Sequence, residues 1–290
     1  MGFEPRERLR SSQSALIYKG IDEMQGGEAT LKIFKDPFGT SKDFADGIDH
    51  VATSLKYIHH ANIVRVLELG KKSDRLAVAT EIVPLTLGDI LQAKEALDLS
   101  KSLSLMLKVL EGLEAGYTEG LPHHLDLKPN NILVDQNLEV VKIADWYVAH
   151  GMAKLDAKTR KGWEDPRYLA PEQIHGIGGV SEATDLYQCG LLLIHLLTGF
   201  PLFQQTDEEA VRYQQVYANP QKNIDYYTQI PQVVREILLT ALAKDPGKRF
   251  QNVTQMREAL AYALAASSFK KAVPANSVVG QTIAEKWRVV

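Results

Sequence analysis

The strongest constraint on the fold is a change of hydrophobic period along the chain. Residues 13–35, QSALIYKGIDEMQGGEATLKIFK, hold two short apolar runs around an acidic Gly-Gly turn, which predicts a β-hairpin. Phe44, Ile48, Val51, Leu55 and Ile58 then fall three and four residues apart, the spacing of one helical face. Residues 76–83, LAVATEIV, read as a buried strand, and beyond Pro84 the pattern is mostly helical, over 89–97, 101–119, 182–198, 208–217, 231–243 and 253–266. The expectation is an α+β protein, small and β-rich first, larger and helical after. Between the helical blocks, residues 122–180 are irregular and hold most of the polar residues that look placed for chemistry, which tends to sit on loops carried by a rigid scaffold.

A chain of 290 residues that is 45% hydrophobic can bury a sizeable core, as one bilobal fold or two small domains. Its formal net charge of -3 gives no overall attraction to nucleic acid or to an anionic membrane, so neither is an expected partner. Cys189, the single cysteine, can form no internal disulfide and no zinc cluster, and fits a reducing, cytoplasmic compartment. Its run CGLLLIHLL is well short of the roughly 20 residues that span a bilayer, and MGFEPRERLR has no signal-peptide apolar region, so no membrane insertion is expected. His59, His60, His123 and His150 have no metal-ligand spacing.

The segment HHLDLKPNNILV, residues 123–134, is the most specific in the chain. Its spacing lets Asp126 accept a proton from a hydroxyl and Lys128 approach a transferring phosphate, while Asn131 offers a carbonyl oxygen to a magnesium ion that Asp145 could share. With KIADWY at 142–147 and RYLAPE at 167–172, the chain resembles the eukaryotic-type protein kinase family, including its bacterial Ser/Thr members, over roughly residues 7–266. The resemblance implies a bilobal fold, with an N-lobe over 1–83 and a C-lobe over 84–266. It also implies ATP and Mg2+ as cofactors, with Lys32 of ATLKIFK on the α and β phosphates and Thr80 as gatekeeper. Glu81 and Val83 would present backbone to adenine, Asp126 and Lys128 would be catalytic, and Asn131 and Asp145 would be metal ligands. By the same resemblance His124 and Asp185 brace the catalytic loop, and Arg249 pairs with Glu172.

Several positions depart from the family pattern. Arg10, Ser12 and Ala15 stand where its three phosphate-loop glycines belong. Val51 stands where a glutamate would pair with Lys32, and neither Asp46 nor Asp49 shares its helical face, so an unpaired Lys32 is expected. Leu125 replaces the arginine that reads activation-loop phosphate. Asp165 replaces a threonine that bridges the catalytic aspartate and lysine, and is expected to repel Asp126 or compete for Lys128. Trp146 and Tyr147 follow Asp145 in place of phenylalanine and glycine; the tryptophan is expected to fill the slot beneath the first helix and the tyrosine to hold the segment in one conformation.

Residues 267–290 read as a linker followed by VVGQTIAEKWRVV, which resembles the opening of a second bacterial kinase domain. Retained polar ligands among damaged positioning elements point to a pseudokinase, a regulatory or docking module for a protein partner or an adjacent kinase domain. The alternative is an active, unconventional Ser/Thr kinase that uses Asp126, Lys128, Asn131, Asp145 and Lys32.

Overall fold

The computed structural model describes residues 1–272 apart from Gln13, Gln25, Ala93, Lys94, Gly162, Ile177 and Gly178. The hairpin read from the sequence is β2 (Ala15–Asp22) with β3 (Glu28–Phe34), and β1 (Phe3–Ser11) adds an antiparallel strand on its outer side. Charged and largely exposed, β1 carries no apolar alternation by which a sequence reading could find it. Helix α1 (Lys42–Ser54) follows, then β4 (Val66–Lys72) and β5 (Arg75–Thr80), completing an antiparallel sheet in the order β1-β2-β3-β5-β4. Ser41 caps α1 by accepting the Phe44 N–H, and Phe44, Ile48, Val51 and Ala52 are its buried face.

The helical lobe starts with β6 (Leu85–Thr86) and α2 (Leu87–Leu91), shorter than the helix expected at 89–97. Thr86 and Asp89 form a capping box at its start. Residues 95–98 then leave the helical state, and Asp98 in extended backbone caps α3 (Leu99–Thr118). Strand β7 (Ile132–Val134) pairs with β6 on one side and with β8 (Val141–Ile143) on the other, forming a small antiparallel sheet. The irregular region holds three short helices, α4 (Val148–Met152), α5 (Ala157–Lys161) and α6 (Pro171–His175). Helix α7 (Glu182–Thr198) is buried on nearly every side and forms the axis of the lobe, with α8 (Glu208–Tyr217), α9 (Pro220–Tyr226), α10 (Gln232–Ala241) and α11 (Val253–Ala272) after it. Residues 267–272, expected to belong to a linker, are helical instead, because α11 continues to Ala272. The segment 273–290, including VVGQTIAEKWRVV, lies outside the described residues.

Helices α1 and α4 meet backbone to backbone through two glycines. A Cβ on Gly47 would lie 2.7 Å from the His150 carbonyl oxygen and 2.8 Å from Gly151 Cα. One on Gly151 would lie 2.5 Å from Ile48 Cγ2 and 2.6 Å from the Phe44 ring. This seam fixes α1 by packing alone, since its inward-facing Val51 has no charge to offer. Gly47→Ala should cost about 1–3 kcal/mol, the scale of overpacking a close contact, read as a lower urea midpoint.

Candidate active site

The loop that carries Asp126 is held from beneath by one buried carboxylate. Asp185, in the first turn of α7, accepts the backbone N–H groups of His124 at 2.6 Å and Leu125 at 2.7 Å, and the Tyr117 hydroxyl. These bonds hold Leu125 at φ 64°, a left-handed conformation that a branched side chain adopts only when its surroundings impose it. Gln188, one turn along α7, accepts from Leu127 N–H at 2.8 Å and donates to the Leu125 carbonyl. The His124 ring nitrogen Nε2 bonds the Ala144 carbonyl at 3.0 Å, tying this loop to the strand that delivers Asp145. Deeper in the lobe, Arg249 grips Glu172 with two bonds of 2.7 and 2.8 Å, both groups buried.

Asp126, Lys128 and Asn131 form one array. Asp126 Oδ1 accepts from Lys128 Nζ at 2.9 Å and Oδ2 from Asn131 Nδ2 at 2.7 Å, and the same Nδ2 also reaches the Asp126 carbonyl. Burial pushes the Asp126 carboxyl above its ordinary range, against the pull of Lys128 and Asn131. Asp165 does not join this array, contrary to the sequence expectation. Its carboxylate takes both Arg167 Nε and Nη2, at 2.8 and 2.6 Å, because a guanidinium two residues away offers a fork that a carboxylate fills completely.

Lys32 is not unpaired, which corrects the second expectation. Its Nζ lies 2.6 Å from Asp145 Oδ2, so the partner missing from α1 is replaced by the candidate metal ligand itself. The other oxygen, Oδ1, accepts the Tyr147 hydroxyl at 3.1 Å. Burial acts to raise the Asp145 carboxyl, but Lys32 and the Tyr147 hydroxyl outweigh it and leave it below its ordinary value. Asp145 adopts φ 62°. Trp146 is buried, but its extra volume is taken up on α3. A Cβ on Gly116 would come within 2.2 Å of its ring, which also meets His124 and Tyr117, while Nε1 donates to the Pro122 carbonyl at 2.7 Å.

These groups line a cleft of about 470 Å3 between the lobes. Lys32, Asp126, Lys128, Asn131 and Asp145 all face it, as does Thr80. Glu81 and Val83 are not among the residues that line it. Glu81 donates its N–H to the Arg65 carbonyl and its side chain bonds Arg65 N–H and Lys142, while Val83 is buried with Val64, Leu133 and Ala144. The sequence reading missed Ile17 and Thr30 on the β-sheet side and Leu133 opposite, which form apolar and neutral walls; their places beside recognised motifs were the available signal. At the mouth, the turn that replaces the glycine-rich loop is closed on itself. Ser12 N–H donates to the Ala15 carbonyl at 2.9 Å, and Ala15 N–H donates to Ser12 Oγ at 3.0 Å. Arg10 crosses the mouth to Asp89 of α2 at 3.1 Å.

The donor set fits magnesium. With its amide nitrogen engaged by Asp126, Asn131 has a carbonyl oxygen to offer beside the Asp145 carboxylate, and Mg2+ is held by one or two protein oxygens together with phosphate and water. Among the described residues no group of three or more His, Cys, Asp or Glu forms an all-protein metal cage.

The fold and this constellation define a protein kinase domain, and residues 4–262 match the protein kinase domain family. The chain belongs to that family. It is 31% identical over 246 residues to the probable serine/threonine-protein kinase CPE1738 of Clostridium perfringens, covering 83% of this chain and 35% of that protein. To the serine/threonine-protein kinase PrkC of Bacillus subtilis it is 27% identical over 244 residues, covering 83% and 37%. To the serine/threonine-protein kinase PknL of Mycobacterium tuberculosis it is 26% identical over 275 residues, covering 93% and 68%. The chain thus spans little more than a third of the length of the first two relatives. No helix among the described residues is long and apolar enough to cross a membrane.

Replacing Lys32 by Met should leave the buried Asp145 charge without its cation. Its carboxyl should then titrate above the ordinary value of 3.8 instead of below it, measured by carbon NMR of the side-chain carboxyl. In the parent chain this depressed carboxylate contributes stability that is full above its unfolded pKa and lost as pH falls through its folded one. The stability gap between parent and variant should therefore be widest near neutrality and close on acidification.

Proposed function

We propose that this chain is a protein-kinase-fold regulatory or docking module, catalytically impaired, that takes ATP with magnesium weakly and acts on a protein partner or an adjacent kinase domain. The observation that carries the reading is the state of Asp145: one oxygen is held by Lys32 and the other by Tyr147. A metal ligand and a phosphate-binding lysine neutralise each other here, so nucleotide must separate a buried ion pair before either can serve. The Ser12–Ala15 contacts support the same reading, because the Ser12 and Ala15 amides, at two of the phosphate-loop glycine positions, are already bonded. Positioning supplies most of the catalysis in phosphoryl transfer, and these are positioning elements.

In such a complex Asn131 and Asp145 would hold the metal, which neutralises phosphate charge when bound. Lys32 would turn from Asp145 to the α and β phosphates. Lys128 would meet the γ phosphate while remaining near Asp126, the acceptor for a hydroxyl proton. A second reading, an active Ser/Thr protein kinase, is favoured by the intact Asp126, Lys128 and Asn131 array and by the names of the relatives.

Calorimetric titration with ATP, with and without magnesium, tests the proposal. Binding in the high micromolar to millimolar range is the expected result, strengthened by magnesium and lost in Asp145→Ala. No binding at millimolar ATP would remove the nucleotide from the proposal and leave a protein-docking role. Robust phosphate transfer abolished by Asp126→Asn would overturn the impaired reading in favour of the second.

A further inference from the structure

The threonine that bridges the catalytic aspartate and lysine in the resembled family is absent, and Asp165 in its place is engaged by Arg167. Lys128 is nevertheless held in line. Among the described residues its ammonium has two contacts, Asp126 Oδ1 at 2.9 Å and the Trp163 ring, whose centroid lies 4.4 Å away. That is well inside the reach of a cation–π interaction. The ring of Trp163 packs half-buried against the main core, and its backbone N–H donates to the Arg160 carbonyl at 2.9 Å. The next residue, Glu164, is tied to Arg212 of α8 at 3.1 Å.

The position of Trp163 between cavities is the second observation. A groove of about 860 Å3 runs between α4, α6 and α8 on the far side of the catalytic loop from the nucleotide cleft. Asp126 and Trp163 are the two residues that line both spaces. A group entering from the groove therefore reaches Asp126 beside the indole, and Lys128 reaches the cleft from beneath it.

We infer that Trp163 is the positioning residue of the Asp126–Lys128 pair: its ring clamps the Lys128 ammonium onto Asp126, replacing by a π face what a threonine hydroxyl does by hydrogen bonds. The aromatic face attracts a cation without offering an acceptor that would draw the ammonium away from Asp126. It also leaves Lys128 able to slide along the ring towards a phosphate, which a fixed hydroxyl pair would restrain. The clamp stands on the apo geometry. Its consequence for nucleotide rests on the function proposed above, and the experiment separates the two.

In protein labelled at the lysine ε carbon, the Lys128 ε-methylene protons, assigned by their disappearance in Lys128→Met, should resonate upfield of the other lysines through the ring current. Trp163→Phe, which keeps an aromatic face, should retain much of the shift, and Trp163→Leu should lose it. The ratio of ATP to ADP affinity, which reports on the γ phosphate that Lys128 would meet, should fall roughly 3- to 10-fold in Trp163→Leu and recover in Trp163→Phe. Lys128 protons that lie among the other lysines in the parent chain, or that keep their shift in Trp163→Leu, overturn the clamp. A shifted lysine in a chain that binds neither nucleotide supports the clamp and overturns the nucleotide-binding reading alone.

Discussion

The loop that carries Asp126, Lys128 and Asn131 depends on the carboxylate of Asp185. It sits at the start of a helix buried on nearly every side and accepts two consecutive backbone amides from the loop above and the hydroxyl of Tyr117 from α3. Consecutive N–H groups converge on one acceptor only if the backbone turns sharply, and Leu125 at φ 64° is that turn. The turn aims Asp126 into the cleft and His124 at the Ala144 carbonyl, so one buried charge sets the register between the catalytic loop and the strand carrying Asp145. The strain at Leu125 is sustained because breaking it would leave a buried carboxylate without its donors.

From that fixed floor, the cleft is arranged as a set of self-neutralising pairs. Arg10 faces Asp89, Lys32 faces Asp145, Lys128 faces Asp126, and Arg167 faces Asp165. Exposed pairs such as Arg10–Asp89 contribute little and are readily broken, whereas Lys32–Asp145 is largely buried and resists separation of its two charges. A polyphosphate alone could take Lys32 but would leave Asp145 charged and without its cation; a cation alone would do the reverse. Nucleotide and magnesium together would replace both partners at once, which is the physical ground for expecting the binding proposed here to be coupled.

Much of this was legible in the chain. Loop, strand and helix motifs fell where they were read, because each is defined by local spacing: the Asp126 to Asn131 segment, the KIAD strand, and α7 and α8 with the bounds expected from periodicity. What could not be read were pairings that depend on distance in space. Lys32 and Asp145 are 113 residues apart, and counting along α1 could show that a partner was missing but not which acid would take its place. Arg10 and Asp89 are 79 residues apart, and nothing in RERLR marks one arginine as the one that crosses the cleft. Asp165 failed for the opposite reason: Arg167, two residues away, captured it locally, while attention to its place in a motif pointed to Lys128.

The missing acid on α1 and the glycine seam with α4 belong together. A helix positioned by an ion pair can move away when that pair breaks, because the contact is directional and made at one point. Here α1 is positioned by close backbone approach at Gly47 and Gly151, with Phe44 and Ile48 packed over it, a contact that admits little sliding. Val51 then needs no charge, and it joins the core. Lys32, released from any role in holding α1, turns to Asp145 as the nearest buried acid. The substitution at Val51, the pairing of Lys32 and the tight turn of α4 after Tyr147 are thus one arrangement, in which packing has taken over a task that charge performs elsewhere in the family. Its cost falls on Asp145, the candidate metal ligand, whose charge is committed to Lys32.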